Sequence, residues 1–397
     1  MSSLPPFPAA EADQCVKCGL CLPHCPSYTA TGHEGDSPRG RITLMQGFAS
    51  GTLAPTDRLQ DHLDGCLGCR ACEPVCPARV PYGHILDAGR ARLAQARPAP
   101  GLQRRLRWMT SPAGGAALRL AHRLWHALRL SPLAQGLGLF RVGRLGRLLS
   151  LLPSPALRWR PLPTAGADRG EVLLFTGCTG RSLDAEALAA SETVLRGLGF
   201  RPRQVHGCCG ALLTHAGDAA GGATQAARAA AQLAGDAPII SIATGCGAQL
   251  AEHPDATVRR RVVDALQFVR QHWPDDLQLQ PLPDRVSLHL ACSQRNVLKR
   301  EEDLRWLAAQ LPAAAVQDLD PTQRCCGAAG HHLLAHPAIA DGHLAPKVDA
   351  LRSQAPQWVV SSNVGCSLHL AGGLRRAGLN TPRVVHPLVL LARQWPR

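Results

Sequence analysis

The chain has 397 residues, 45% of them hydrophobic, which is enough for two or three domains with ordinary cores. Its formal net charge of +14 comes from one stretch, because residues 88–167 contain fourteen arginines and no acidic residue while the remainder balances. The first ten residues lack the basic and apolar regions of a secretory signal, so we expect the sixteen cysteines to lie in a reducing compartment. The most apolar stretch, 128–152, is interrupted by arginines, and no membrane-spanning helix is expected.

Two runs of four cysteines near the N-terminus share the pattern CxxCxxCxxxCP. This spacing is typical of bacterial ferredoxins with two [4Fe–4S] clusters, in which the fourth cysteine of each run ligates the cluster of the other. One predicted ligand set is Cys15, Cys18, Cys21 and Cys76, and the other is Cys66, Cys69, Cys72 and Cys25. Zinc and disulfide bonds are less favoured alternatives, because zinc sites use CxxC pairs separated by longer gaps.

A helix is predicted between the two runs, with Ser37 as its cap and Pro38 at its first position. Arg39 and Arg41 would then neutralise the charge of a cluster or of a partner; the alternative is that both are solvated surface residues. A further helix, predicted over 84–93, would bring the chain back beside the cysteines.

The arginine-rich stretch has leucines at helical spacing and three tryptophans, Trp108, Trp125 and Trp159. Basic amphipathic helices with tryptophan are suited to a membrane interface, where arginines meet anionic lipid. Alternatively, the leucines pack against the protein's own domains or against a partner subunit. Nucleic acid is not an expected partner, because no helix-turn-helix, RRM or zinc-finger pattern is present.

The C-terminal half is an internal repeat with offsets of 114 to 120 residues. Each copy alternates β-branched runs with helical patterns, which predicts a parallel sheet with crossover helices. In the first copy, the strands are expected over 172–175 and 239–243 and the helices near 185–198 and 219–233. Loops that follow parallel strands meet at one edge, so the cysteines of each copy should converge there. These are Cys178, Cys208, Cys209 and Cys246 in the first copy and Cys292, Cys325, Cys326 and Cys366 in the second.

The repeated pattern of one cysteine, a CysCysGly triplet and a last cysteine resembles the CCG domain of heterodisulfide reductase B-type subunits and of iron–sulfur subunits of respiratory dehydrogenases. Gly210 and Gly327 complete the two triplets and would let the backbone turn beside a bulky centre. In the fullest form of that family, five thiolates hold a noncubane cluster. Here Gln249 and His369 replace the fifth cysteines. Four thiolates per copy would still hold a [4Fe–4S] cluster or zinc, or would form an empty thiol cluster.

The arrangement as a whole resembles the iron–sulfur subunits of glycolate oxidases, and it is shared by those of anaerobic glycerol-3-phosphate dehydrogenase and some lactate dehydrogenases. The resemblance is carried by residues 37–42, 62–69, 244–248 and 363–370. It implies a cytoplasmic subunit, peripheral on the inner face of the membrane, that carries two [4Fe–4S] clusters. Electrons would come from FAD-containing partner subunits that oxidise glycolate to glyoxylate, and would pass towards quinone.

No flavin is expected on this chain, since the nearest approach to a GxGxxG fingerprint, at Gly136 and Gly138, is incomplete. No residue is predicted to be catalytic. The alternatives are the corresponding subunit of a lactate or glycerol-3-phosphate dehydrogenase, and a CCG-type thiol or disulfide reductase. Candidate proton carriers near a quinone, which could equally be surface or packing residues, are His33, His84, His206, His331 and His332.

We therefore expect an α+β protein with four parts. An α-helical ferredoxin-type domain with two [4Fe–4S] clusters spans 1–95, and an arginine-rich helical connector spans 96–167. Two duplicated α/β CCG domains follow, over 168–275 and 282–397.

Overall fold

The computed structural model describes residues 6–157, 162, 168–379 and 381–396. The N-terminal part is helical, with its helices packed around the two cysteine runs. Ser37 caps the predicted helix between the runs, and its hydroxyl accepts a 3.0 Å hydrogen bond from the amide of Gly40. The helices are α1 (Ala9–Ala12), α2 (Pro26–Thr31), α3 (Pro38–Ala49), α4 (Asp57–Asp64) and α5 (Tyr82–Ala96).

The connector is helical as predicted. Trp159 lies outside the described residues. A 3₁₀ turn, Leu139–Arg141, separates the last two connector helices. The helices are α6 (Pro100–Met109), α7 (Pro112–Ala127), α8 (Leu130–Gly136) and α9 (Gly143–Ser150).

The first repeat copy is a four-stranded parallel sheet with helical crossovers, in the strand order β2-β1-β3-β4. Its strands are β1 (Glu171–Phe175), β2 (Arg201–Val205), β3 (Ile239–Ser241) and β4 (Val262–Asp264). Its helices are α10 (Gly180–Leu183), α11 (Ala185–Gly197), α12 (Ala211–His215), α13 (Ala219–Gln232), α14 (Thr244–Ala251), α15 (Ala256–Arg259) and α16 (Ala265–Gln271).

The second copy repeats this topology, with the strand order β6-β5-β7-β8 and all pairs parallel. Its strands are β5 (Arg285–His289), β6 (Ala315–Asp318), β7 (Trp358–Ser361) and β8 (Arg383–Val385). A π-helical turn, Ser293–Val297, follows β5. The helices are α17 (Glu301–Ala309), α18 (His332–Ala335), α19 (Pro337–Gln354), α20 (Val364–Arg376) and α21 (Pro387–Gln394).

One hydrophobic core runs through both copies, because the C-terminal helix α21 of the second copy packs on α11 of the first. The rings of Trp273 and Trp395 meet edge to face in this core, with centroids 5.7 Å apart. His386 adds a polar link, since its Nε2 donates a 3.0 Å hydrogen bond to the carbonyl of Ile242. The two sheets are thereby held side by side. Throughout the described ranges, every helix is too short or too polar to cross a lipid bilayer.

Candidate metal centres

The first cysteine cavity lies in the N-terminal part and is lined by Cys15, Cys18 and Cys21 of the first run together with Cys76 of the second. Cys18 is exposed, and the neighbouring side chains Val16 and Leu20 are 71% and 57% exposed. Arg39 closes one wall, where its Nη1 donates a 2.8 Å hydrogen bond to the carbonyl of Lys17. Four thiols from both runs thus face one space close to the surface.

The second cysteine cavity is more enclosed and is lined by Cys66, Cys69 and Cys72 of the second run together with Cys25 of the first. Of these, Cys25, Cys66 and Cys72 are buried. The Tyr82 hydroxyl lies 3.4 Å from the sulfur of Cys66 and donates to it. Burial raises the pKa of the Cys72 thiol, helped by the nearby Cys69. Each cavity is therefore lined by three thiols of one run and the fourth thiol of the other.

Two buried arginines give the second cavity a positive environment. Arg41 is fully buried, and its guanidinium donates to the carbonyl of His62 at 2.6 Å and to the hydroxyl of Ser27 at 2.8 Å. Arg90 donates to the carbonyl of Cys66 at 2.7 Å. Although burial raises the pKa of the Cys66 thiol, the charges of Arg41 and Arg90 hold it below its ordinary value.

This environment fits an anionic iron–sulfur centre, because four thiolates and their iron carry net negative charge that a buried site must compensate. The alternative that Arg41 is a solvated surface residue is wrong. Arg39 is partly exposed and forms an ion pair with Glu34 at 2.7 Å.

The first repeat copy brings its four predicted cysteines together in what we call the copy-1 thiol cluster. Cys178 follows β1, Cys208 and Cys209 follow β2, and Cys246 lies in the first turn of α14. Hydrogen bonds from Cys178 and Cys209 lower the pKa of Cys208 to about 3. A set of four thiols that stabilises a thiolate in this way suits zinc or an iron–sulfur cluster.

Glycine is required beside this cluster. Gly210 has φ +89°, and a Cβ atom there would lie 2.4 Å from the carbonyl oxygen of Gly222. Gly327 in the second copy has φ +86°, and a Cβ would lie 2.5 Å from the carbonyl oxygen of Ala340. The two CysCysGly loops therefore approach a neighbouring backbone too closely for any side chain.

The second copy brings together Cys292, Cys325, Cys326 and Cys366, which we call the copy-2 thiol cluster. Hydrogen bonds from Cys325 and Cys366, and then the contact with His289, lower the pKa of Cys326. The possible ligand atoms of His289, Cys326 and Cys366 all lie within 4.8 Å of one another, and all three residues are buried. This cluster therefore has a nitrogen donor as well as sulfur.

His289 was not predicted as a site residue. The signal lies in the repeat, because its counterpart in the first copy is Phe175. Its Nδ1 is 3.0 Å from the hydroxyl of Ser361 on the adjacent strand, which leaves Nε2 to face Cys326. His369, which replaces a fifth cysteine, is fully buried, and its Nε2 lies 3.2 Å from the carbonyl of Ala340. The two copies are thus chemically unequal.

The second cysteine cavity adjoins the copy-2 thiol cluster. The side-chain amide of Asn296, in the π-helical turn after β5, donates a 2.7 Å hydrogen bond to the carbonyl of Cys69. Burial and then the proximity of Cys292 raise the pKa of the Cys69 thiol. A cysteine of the N-terminal part and one of the second copy are therefore electrostatic neighbours. The residue after Cys69, Arg70, pairs with Glu252 of the first copy at 2.6 Å.

The five candidate histidines occupy different surroundings. His33 and His84 are exposed, and His84 lies 2.6 Å from Glu11. His206 lies 2.8 Å from the hydroxyl of Thr176. His331 and His332 lie at the start of α18, where burial lowers both pKa values to about 3, so each imidazole is neutral at physiological pH.

Two known protein families match this chain, one over the two N-terminal cysteine runs and the other over each repeat copy. A family model described as a 4Fe-4S dicluster domain matches residues 11–80, and one described as a cysteine-rich domain matches 172–251 and 286–371. One subunit of the dihydromethanophenazine:CoB–CoM heterodisulfide reductase of Methanosarcina acetivorans is 23% identical over 97% of this chain and 94% of its own length.

Two relatives are more similar. The probable glycolate oxidase iron–sulfur subunit of Bacillus subtilis is 31% identical over 96% of this chain and 93% of its own length. The glycolate oxidase iron–sulfur subunit of Escherichia coli is 32% identical, and the match covers 92% of both chains. With two cysteine cavities, two thiol clusters and this similarity along almost its whole length, the chain belongs to the family of glycolate oxidase iron–sulfur subunits.

Proposed function

We propose that this protein is the electron-transfer subunit of a glycolate oxidase complex, taking electrons from FAD-containing partner subunits and passing them to quinone. The main support for the proposal is the arrangement of three thiol sites, namely the two cysteine cavities and the copy-2 thiol cluster. The first cysteine cavity opens at the surface, the second is built from cysteines of the same two runs, and the copy-2 thiol cluster adjoins the second through Cys69 and Cys292. Electron transfer requires such closely spaced centres and needs no nucleophile or general base on this chain.

In this proposal, Cys15, Cys18, Cys21 and Cys76 hold one [4Fe–4S] cluster, and Cys66, Cys69, Cys72 and Cys25 hold the other. The clusters would supply one-electron redox chemistry when bound. The copy-2 thiol cluster holds a third iron–sulfur centre, for which His289 is an additional ligand. The copy-1 thiol cluster holds zinc or a further iron–sulfur cluster. The limits proposed for the four parts are 1–95, 96–167, 168–275 and 282–397.

Side chains around the second cysteine cavity favour the reduced state of a cluster bound there. Arg41 and Arg90 offset negative charge beside Cys66, so that adding an electron there costs less than in an apolar pocket. Tyr82 donates a hydrogen bond to the same sulfur, and the amide of Gly68 donates another at 3.5 Å. Hydrogen bonds to ligand sulfur favour the more negative, reduced state of a cluster.

The flavin-containing partner docks at the first cysteine cavity. Val16 and Leu20 form an exposed apolar patch there, beside the exposed thiol of Cys18. Apolar side chains at the rim of a redox site are typical of an interface that excludes water from a partner's approach. Contact at this patch would place the partner's flavin near the cluster that we propose for the first cysteine cavity.

The connector places the complex on the inner face of the cell membrane. Helices α7 to α9 expose leucines that lie between arginines with no acidic residue among them, which suits an anionic lipid surface. Some arginines serve the fold instead, since Arg107 pairs with Asp218 at 2.7 Å and Arg147 pairs with Asp341. The exposed apolar side chains between residues 120 and 148 are Leu120, Leu124, Leu128, Leu133, Leu137, Leu139, Val142, Leu145 and Leu148.

Transient kinetics of the complex test the proposal. In Cys69→Ser, glycolate should still reduce the partner's flavin at nearly the normal rate, while quinone reduction falls by orders of magnitude. Ser50→Ala, at an exposed serine outside the cysteine cavities, is the control and should leave both steps unchanged. Sustained oxidation of glycolate or cleavage of a disulfide by the isolated subunit would contradict the proposal and favour a CCG-type reductase. Reduction of the flavin by lactate or glycerol 3-phosphate, but not by glycolate, would reassign the substrate.

A further inference from the structure

A groove runs between the connector and helix α20. Its outer part has a volume of about 590 Å³ and lies beside α8, and its inner part continues towards α11. Ser154, Ala371 and Val384 line both parts, which therefore adjoin, and we call the two together the α20 groove. Sites for small organic molecules have volumes of roughly 300–1,000 Å³.

The walls of the groove combine apolar side chains with polar ones, and half of the residues that line its outer part are polar, including Arg129, Arg375 and Arg383. Leu374, Pro382 and Val384 supply apolar surface in the outer part. The guanidinium of Arg375 lies among them and donates to the carbonyls of Ser150, at 2.6 Å, and Leu152, and to the hydroxyl of Ser154 at 2.9 Å, which uses three of its five N–H groups. A flat apolar ligand with a carbonyl oxygen matches such a wall, because the guanidinium has further N–H groups to donate.

Proton-exchanging groups line the groove as well. The Nε2 atoms of His122 and His126 are 2.8 Å apart, and burial lowers the pKa of both rings. Asp184 lies in the inner wall, where burial raises the pKa of its carboxyl to about 7. A neutral imidazole pair and a carboxyl that is partly protonated at neutral pH can deliver protons to a bound ligand.

The groove lies on the helix that carries the last cysteine of the copy-2 thiol cluster. Cys366 is in the first turn of α20, and the next two residues, Ser367 and Leu368, line the inner part. At its other end, the groove lies beside α8, where Leu133 and, directly after the helix, Leu137 are exposed. One end thus adjoins a redox site and the other an exposed apolar surface.

We propose that the α20 groove is the quinone-binding site of this protein, an inference that rests on the proposed electron-transfer function. The isoprenoid tail extends towards α8 and its leucines, and the ring carbonyls face Arg375 and the pair His122 and His126. Reduction to the quinol takes two electrons, which the partner's flavin supplies through the thiol sites of this chain. It also takes two protons, which enter from solvent through the histidine pair and Asp184.

Quinone binding is measured directly on the full chain with its centres loaded. The Trp125 indole donates a 2.5 Å hydrogen bond to Ser131 of the groove wall, so a short-chain benzoquinone should quench its fluorescence. The quenching should be lost in Trp125→Phe. Ala371→Phe places a ring in the groove and should weaken binding at least tenfold. Ala189→Phe adds the same ring on the exposed face of α11 and should not change the affinity.

Ala156→Phe is a second variant that should also weaken binding, by filling the inner part from the connector side. Both variants should keep the cluster spectra and the rate of glycolate-dependent reduction of a soluble one-electron dye. Unchanged quinone affinity in both variants would overturn the site while leaving the electron-transfer function intact. Loss of dye reduction in the unmodified complex would instead overturn that function. Competition by a saturated single-chain amphiphile as strong as that by quinone would show that the groove takes an acyl chain, and the proposal would be wrong.

Discussion

The side-chain amide of Asn296 donates a hydrogen bond of 2.7 Å to the backbone carbonyl of Cys69, and so joins the loop of the second cysteine run to the second repeat copy. Replacing Asn296 with leucine should leave that carbonyl without its donor, at a cost of about 1–3 kcal/mol in stability. We also expect a weaker magnetic interaction between the two adjoining centres in the reduced protein, measured by EPR. Gln232→Leu, at the exposed end of α13, is the control. An unchanged interaction in Asn296→Leu would show that this contact does not position the loop.

Because each cavity is lined by cysteines of both runs, the structure predicts which cluster is damaged when a given cysteine is replaced. Cys76 lines the same cavity as Cys15, Cys18 and Cys21, although it belongs to the other run. Cys76→Ser should therefore remove or convert the cluster at the first cavity and spare the one at the second. Iron content and EPR of anaerobically purified protein report this, starting from at least eight iron and eight sulfide per chain, or about four of each per [4Fe–4S] cluster. Selective loss of the other signal would contradict the ligand sets.

Arg41 should set both the stability of the N-terminal part and the potential of its second cluster. Its guanidinium is fully buried and lies beside Asp36 and Ser27, so Arg41→Met should cost about 3–5 kcal/mol. If the protein loads its clusters, the potential of the second should fall, because a nearby positive charge that favours the reduced state is gone. Arg58→Met removes the same charge from an exposed site and should change neither value much. An equal shift of the cluster potential in both variants would show that the potential depends on the total charge of the protein and not on the position of Arg41.

Contact between the connector and membranes should depend on salt and on the exposed leucines. The Debye length falls to about 3 Å at 1 M salt, which screens arginine from anionic headgroups. Co-sedimentation with vesicles containing phosphatidylglycerol should therefore decrease with added salt, and it should weaken further in Leu124→Ser with Leu145→Ser. The matched control is Leu334→Ser, an exposed leucine in α18 of the second copy. Binding that persists with the connector arginines neutralised would refute this contact.

His386 makes the junction between the two copies sensitive to acid. Burial lowers its pKa to about 4, although its hydrogen bond to the Ile242 carbonyl acts in the opposite direction. Its Nδ1 accepts a hydrogen bond from the amide of Leu388, so a proton cannot be added there without breaking that bond. Between about pH 6.5 and pH 4, the unfolded chain binds a proton at this site that the folded chain does not bind.

Stability should therefore be greatest above pH 6.5 and fall as the pH decreases towards 4, by up to about 3 kcal/mol from this group. His386→Asn keeps an acceptor for the amide of Leu388 and removes the titration. Denaturant unfolding at several pH values should show a shallower dependence in this variant. An identical dependence would assign the acid sensitivity to other buried histidines.

The features that the sequence predicts best are those that depend on the spacing of cysteines and strands along the chain. CxxCxxC loops present three thiols to one point, and a repeated strand–cysteine order places Cys178 and Cys292 at corresponding edges of the two sheets. The residue pattern does not predict strand β2, because its sequence, Arg-Pro-Arg-Gln-Val, is polar and contains Pro202. It forms an edge strand of the sheet, where proline is tolerated.

Features that depend on how distant segments dock were not predictable. The polarity of Arg41 favours exposure, and only the packing of α3 against neighbouring elements shows that its guanidinium is buried among carbonyls. Nothing in the second cysteine run indicates that Cys69 will adjoin Cys292, since that contact spans separate domains. His289 could have been noticed, because a buried strand position that is phenylalanine in one copy and histidine in the other marks a chemical difference.

The sharing of cysteines between the two runs also sets an order for biosynthesis. A nascent chain that has reached Cys25 contains only three thiols of one cavity and one of the other. The second cavity gains its last thiol at Cys72, and the first only at Cys76. Neither centre can be completed while the ribosome is still translating the 40-residue interval between Cys25 and Cys66. If these thiols are the ligands that we propose, iron–sulfur insertion follows the synthesis of both runs, and a chain truncated before Cys72 would mature neither centre.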